Sequence, residues 1–356
     1  MAHVGAASAQ TLWDAVFAGL AGDPQQLAAA HRPAAERFAL LTSPALAAYL
    51  FGATNGTGFD AASAGASRLL TRFRRVATLR RVVAAGAAGL PVIALKGLGT
   101  AHLLYPDPDL RPMADADLLV EAGHLPELLD FFSRQGFRFA DMPARSRWGF
   151  IGDASFQPLL AADGSVTLDL HVHPDAWPLY HGLDTQAVFA ASRGVTTSEG
   201  EIRVPSPPHM LLLAASHAAR DLFAPHAVKS LLDAALLLRR HQSAIDWDRL
   251  TALARAGRSL RPLSVTLALL SALGLPLPTV PETLCRRPRG LAGVEFGRLA
   301  ASLQALPAAA EATPLQRLRL EWLLAAGPGV SLQRNLRRLR GLVRANPGLP
   351  ATRANG

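Results

Sequence analysis

Residues 110–120 read Leu-Arg-Pro-Met-Ala-Asp-Ala-Asp-Leu-Leu-Val, two aspartates one residue apart that run straight into an apolar stretch. Side chains alternate along a strand, so Asp115 and Asp117 at a strand's start share one face. Magnesium takes oxygen ligands and keeps several of its waters, so a protein that holds it usually offers two or three carboxylates close together. An Asp-x-Asp pair is also common in loops, and the residues around it decide its meaning.

Upstream, Pro91-Val-Ile-Ala-Leu95 is a short β-branched apolar run that follows a glycine turn and ends at Lys96-Gly97, the mark of a buried strand. Gly97 to Tyr105 has helical spacing, and Pro106-Asp-Pro-Asp109 closes it as a loop. Asp117 to Val120 predicts a second strand, and His124 to Arg134 a helix that Gly136 ends. Strand, helix, strand, helix is an α/β unit. Further on, Ser155 to Ala161 and Ser165 to Val172 flank Asp163-Gly164, a hairpin signal. The second run alternates, which puts Asp169 and His171 on one face. Asp169 is expected on the same sheet as Asp115 and Asp117, and a further short strand at Glu201 to Val204.

On either side of this unit the apolar period becomes helical. Leu12, Val16, Phe17 and Leu20, then the arginine-studded Leu69 to Val83, predict a helical N-terminal region over 1–88. The α/β core is expected over 89–205 and a helical C-terminal domain over 206–345, with a disordered tail at 346–356. Helices in that C-terminal domain are expected at 209–220, 227–241, 247–256, 262–273, 315–326 and 331–345. The fold class is α+β, a small mixed sheet flanked by helices, with a helical N-terminal arm and a helical C-terminal half.

Composition excludes several alternatives. The charge-free run from Val82 to Leu95 falls short of the roughly 20 residues that a bilayer core needs, so no transmembrane segment is expected. The first ten residues lack the basic segment and apolar core of a secretory signal, which makes the cytoplasm the expected location. A single cysteine, Cys285, excludes an intrachain disulfide framework and any multi-cysteine zinc site. The net charge of +9, from 36 Lys and Arg against 27 Asp and Glu, favours contact with phosphates of a nucleotide, an RNA or a membrane surface.

Phosphate ligands can be sought on that basis. Lys96-Gly97 opens a helix, where free backbone N–H groups and the helix dipole favour a phosphate and the lysine adds charge. Arg111, just before the acidic pair, offers its guanidinium to a triphosphate oxygen, with pairing to Asp107 or Asp109 as the alternative. His217, Arg220, Lys229 and Asp233 recur among apolar residues of the helical half, and Lys229 is a candidate near the phosphates or the base. The stretch Gln333 to Arg344 puts Leu336, Leu339 and Val343 on one face and arginines on the rest. Such a helix suits RNA, acidic lipid or an acidic partner, with a solvated face as the plainer reading. His171 and His173 form a His-x-His, which also occurs in metal-dependent hydrolases.

Three blocks stand in order: Leu95-Lys-Gly-Leu-Gly-Thr-Ala-His-Leu-Leu-Tyr-Pro106, Leu110 to Val120, and Leu168-Asp-Leu-His171. Together they resemble the bacterial family of uncharacterised nucleotidyltransferases within the polymerase-β-like superfamily. More distantly the chain is similar to abortive-infection type nucleotidyltransferase toxins. The resemblance covers about residues 85–275. It implies that Asp115, Asp117 and Asp169 are the catalytic, metal-binding carboxylates. Lys96-Gly97 stands where the superfamily more commonly has Gly-Ser beside the phosphates, and Ala114 where glycine or another small residue is common. The implied activity is transfer of a nucleoside monophosphate from a nucleoside triphosphate such as ATP, with Mg2+ or Mn2+ and release of pyrophosphate. The implied acceptors are a tRNA, a peptide or a small molecule. His171 is expected to orient a metal water, contact substrate or hydrogen-bond Asp169. The alternatives are a nucleotide-binding regulatory protein of the same fold that has lost turnover and the His-x-His hydrolase.

Overall fold

The computed structural model describes residues 11–23, 29–140, 157–306 and 313–344, with side chains described as far as 337. Residues 155 and 156 of the first hairpin run and the tail expected at 346–356 lie outside the described residues.

The N-terminal arm consists of α1 (Leu12–Leu20), α2 (Arg32–Leu41), α3 (Pro44–Phe51) and α4 (Ala61–Ala87). Each start but that of α2 is marked by a side chain that satisfies orphan backbone donors. Thr11 and Asp14 form a capping box on α1, Ser43 caps α3 with Pro44 at its first position, and Asp60 accepts from the Ser63 amide on α4. The sheet strands are β1 (Val92–Ala94), β2 (Ala116–Val120), β3 (Arg138–Phe139), β4 (Leu159–Leu160), β5 (Thr167–His171), β6 (Arg193–Thr197) and β7 (Gly200–Val204). Helices α5 (Lys96–Leu104), α6 (Leu125–Arg134) and α7 (Thr185–Ala190) lie between them. The helical half follows as α8 (Pro207–Arg220), α9 (Val228–His241), α10 (Trp247–Ala256), α11 (Leu260–Ala272), α12 (Glu282–Cys285), α13 (Gly290–Ala305), α14 (Pro314–Leu320) and α15 (Pro328–Arg344).

The strand order is β3-β4-β5-β2-β1-β7-β6. β2 lies antiparallel to β1 and parallel to β5, and β7 is parallel to β1, so the sheet is mixed and the fold is α+β. The hairpin β4–β5 turns through Asp163-Gly164, with Gly164 at φ +69°, a conformation that glycine adopts without a Cβ penalty. β6 and the two-residue β3 went unpredicted. β6 has no buried residue and β3 is exposed at both positions, so neither carries an apolar period.

α5 packs on β2 and against α8 and α9, while α4 runs along β1 and β7. Trp13 and Phe38 of the arm, Ile93 and Leu118 of the sheet, and Leu231 and Leu267 of the helical half belong to one continuous buried cluster. This core fixes the ends of β1, β2 and β5 relative to the helical half. No helix among the described residues is long and apolar enough to cross a membrane.

Candidate functional site

β2 and β5 are adjacent parallel strands with Asp117 opposite Asp169 and Leu119 opposite His171. Residues in register on neighbouring strands project from the same face, and the period of two adds His171 to that face. The third strand of the site, β1, ends at Ala94, and the Leu95 amide donates to the Asp117 carbonyl at 2.9 Å. From there the chain turns at once into α5. Lys96, its first residue, sits at φ +39°, a left-handed conformation that costs energy for a residue with a Cβ and is concentrated at functional sites.

Lys96 Nζ lies 2.6 Å from Asp117 Oδ1, and His171 Nε2 lies 2.8 Å from the same oxygen. An ionised carboxylate only accepts, so the His171 ring proton on this side is on Nε2. Burial alone would raise the Asp117 pKa, but Lys96 and His171 outweigh it and hold the carboxyl well below its ordinary value. Asp169 behaves oppositely. Burial first, then the charges of Asp115 and Asp117, push its pKa up to about 6. Its Oδ1 is buried with no hydrogen-bond partner among the described residues. Asp115 lies just before β2, and burial followed by the Asp117 charge raises its pKa as well.

Asp117, Asp169 and His171 each offer a ligand atom, all within 4.8 Å of one another. A buried carboxylate oxygen without a donor, beside a second carboxylate, fits a hard divalent cation that takes oxygen ligands. Asp115 is outside that tightest group and reaches it electrostatically. His173 is not part of it: its ring stacks on Tyr180 with centroids 4.4 Å apart. The His-x-His hydrolase reading therefore fails, because the two histidines serve different neighbours and the sheet is mixed and not a barrel.

A cavity of about 390 Å³ opens in front of Asp117. Lys96, Gly97, Arg111, Asp115, Asp117 and Lys229 all line it, so β2, α5 and α9 bring every candidate except Asp169 and His171 to one hollow. Those two lie outside its lining, on β5, which flanks β2 on the side away from β1 and Lys96. Lys229 lines the cavity from α9, and its charge acts on Asp115. Burial first and then Arg111 lower its pKa. His217 also lines the cavity, with Nδ1 3.1 Å from Ser230 Oγ and 3.5 Å from Asp221 Oδ2. Burial, Arg220 and Lys96 push its pKa down to about 3, so it is neutral at ordinary pH. Arg220 itself turns away to Asp175 at 2.8 Å.

Arg111 lines the cavity but pairs with neither Asp107 nor Asp109. It is buried and grips Asp233 of α9 with Nε 3.0 Å from Oδ1 and Nη2 2.8 Å from Oδ2. Asp107 and Asp109 are taken instead by α4, through Arg68 for the first and Arg72 and Arg75 for the second. The third Arg111 nitrogen, Nη1, donates to the Pro112 carbonyl at 2.7 Å, and Tyr105 Oη donates to Asp233 Oδ1 at 2.9 Å. Arg111 thus fastens the loop that carries Asp115 to the helical half. The signal for this lock was available in the sequence: Asp233 is a lone charge within Leu-Leu-Asp-Ala-Ala-Leu, and a buried carboxylate requires a partner.

The mixed sheet thus presents two carboxylates in register beside a lysine-led helix start. The family profile described as uncharacterised nucleotidyltransferase matches residues 63–274, and the chain belongs to that family. No curated protein matches the chain. Among solved structures, the antibiotic-resistance factor ANT(2'')-Ia is similar over 53% of this chain and 93% of its own, at 16% identity and a TM-score of 0.36. An antigenic nucleotidyltransferase-like protein from Paracoccidioides brasiliensis is similar over 60% of this chain and 97% of its own, at 16% identity and a TM-score of 0.35.

Proposed function

We propose that the protein is a divalent-metal-dependent nucleotidyltransferase that moves a nucleoside monophosphate from a nucleoside triphosphate to a hydroxyl of an acceptor and releases pyrophosphate. The observation that carries this reading is the register of Asp117 with Asp169 on one sheet face, with Lys96 at the adjoining helix start.

Mg2+ or Mn2+ would be held by Asp117 and Asp169 with Asp115 at the rim, and it would neutralise phosphate charge and sharpen the acceptor oxygen as a nucleophile. Donor and acceptor then take opposite sides of Asp117. The triphosphate occupies the cavity, with the amides at the α5 start, the Lys96 ammonium and Lys229 meeting its oxygens. Arg111 steadies this cradle from behind through the Pro112 carbonyl. The acceptor hydroxyl arrives from the Asp169 side. Asp169, whose raised pKa makes it the more basic of the two sheet carboxylates, takes the proton as the acceptor oxygen bonds to the α-phosphorus. The bond from that phosphorus to the bridging oxygen breaks, and pyrophosphate leaves toward Lys229. ATP is the nucleotide to test first, and the single cysteine suits work in the reducing cytoplasm.

Titration calorimetry of magnesium-nucleotide on the wild type and on Asp117→Asn tests the site. Binding should weaken by at least about tenfold in the variant, a loss of roughly 1.4 kcal/mol. Equal affinities would refute the assignment.

A further inference from the structure

Asp117 Oδ1 already takes two close donors, Lys96 Nζ at 2.6 Å and His171 Nε2 at 2.8 Å. A cation can reach that oxygen only if one donor leaves, and the two donors differ in their freedom to do so. The His171 side chain is 7% exposed, rises from a paired strand position and does not line the cavity. The Lys96 side chain is 22% exposed, lines the cavity and has a long flexible stem on the first residue of α5. Its backbone sits in a left-handed conformation, at φ +39°.

We propose that Lys96 is a positioning residue that fills the cation place on Asp117 in the free protein and swings to the triphosphate when metal and nucleotide load together. This rests on the reading of the site as a nucleotidyltransferase. It adds an order to binding: the free protein binds metal weakly, because an ammonium 2.6 Å from Asp117 Oδ1 repels a divalent ion on that carboxylate and bars it from Oδ1. The same contact eases the repulsion among three clustered carboxylates. Asp117 is neutralised by Lys96, and Asp115 and Asp169 are left to be matched by the arriving charge. Once the triphosphate lies over the start of α5, Lys96 gains a stronger anionic partner in the cavity, and Asp117 Oδ1 is released on that side.

The test is Mn2+ binding to the nucleotide-free protein, read by electron paramagnetic resonance of free Mn2+ and, separately, by the rise in melting temperature that Mn2+ produces. Lys96→Met should bind Mn2+ about ten- to a hundredfold more tightly than wild type, the usual size of a coupling between sites. Lys96→Gln, which keeps a donor without the charge, should fall between the two, and comparable melting temperatures without metal establish that both variants fold. Lys96→Met should also bind ATP more weakly, since it lacks the ammonium that the triphosphate receives. Mn2+ affinity that is unchanged or lower in both variants, while wild type still binds Mn2+ with ATP and Asp117→Asn does not, would overturn this exchange alone. Failure of wild type to bind Mn2+ even with ATP present would overturn the nucleotidyltransferase reading, and this inference with it.

Discussion

Replacing Asp233 with alanine removes the acceptor for both Arg111 and Tyr105 in the lock between α9 and the loop before β2. Asp233 is 3% exposed and Arg111 8%, so the guanidinium left behind has little access to water. Breaking a buried ion pair by deleting one partner costs about 3–5 kcal/mol. The Tyr105 hydroxyl, also buried, loses its acceptor and adds about 1–3 kcal/mol. Asp233→Ala should therefore lower stability by about 4 kcal/mol or more, read as a shift of the urea midpoint in far-ultraviolet circular dichroism. Asp233→Asn, which keeps an oxygen for Tyr105 but leaves the Arg111 charge unbalanced, should cost about 3 kcal/mol, less than Asp233→Ala. The double variant Arg111→Met, Asp233→Leu removes both charges and should recover more than half of the single-variant loss, because the penalty lies in the orphaned charge and not in the missing pair. A loss below about 1 kcal/mol for Asp233→Ala, or a double variant no better than the sum of the singles, would refute the buried-lock argument.

Asp169 titrates near 6 in the folded protein against about 4 for an unfolded aspartate, so between those values the folded state binds the extra proton. Stability from this group is full at low pH and is lost as pH rises through that window, in a field set by Asp115, Asp117, His171 and Lys96. A cation must displace the same proton, so Mn2+ affinity should fall about tenfold per pH unit below 6, and Asp169→Asn should flatten the slope. Calorimetry in buffers of different ionisation enthalpy measures the proton released, and an unchanged slope in the variant would contradict the assignment. Gly99→Ala should cost about 1–3 kcal/mol, since a Cβ there would clash with the Ala94 carbonyl oxygen where α5 doubles back on β1. An unaltered urea midpoint in that variant would show that the strand-to-helix turn has slack.

The parts of the fold legible in the sequence are those with a one-sided apolar pattern. β1 and β2 are buried runs, β5 alternates next to an Asp-Gly turn, and α8 to α11 repeat at helical spacing between proline and glycine breaks. β6 carries no such pattern, because an edge strand exposed on alternate residues is held by its partner's backbone and not by burial. In the site, period-two alternation was enough to put Asp169 and His171 on one face, and the structure sets them beside Asp117. Tertiary partners were not legible. The burial of Asp233 implied a partner but did not name Arg111, which is 122 residues away in sequence and has the nearer Asp107 and Asp109 as rival candidates. The double occupation of Asp117 Oδ1 involves a left-handed Lys96, and a lysine at that φ has no local sequence signal.

The central claim concerns which phosphorus is attacked. ATP labelled at the α-phosphate and ATP labelled at the γ-phosphate, incubated separately with the protein, Mg2+ and a cell extract as the source of acceptor, decide it. The account predicts α-label in a new acceptor product and γ-label in pyrophosphate, with both lost in Asp117→Asn. Acceptor carrying the γ-label, or product formed equally by Asp117→Asn, would contradict it.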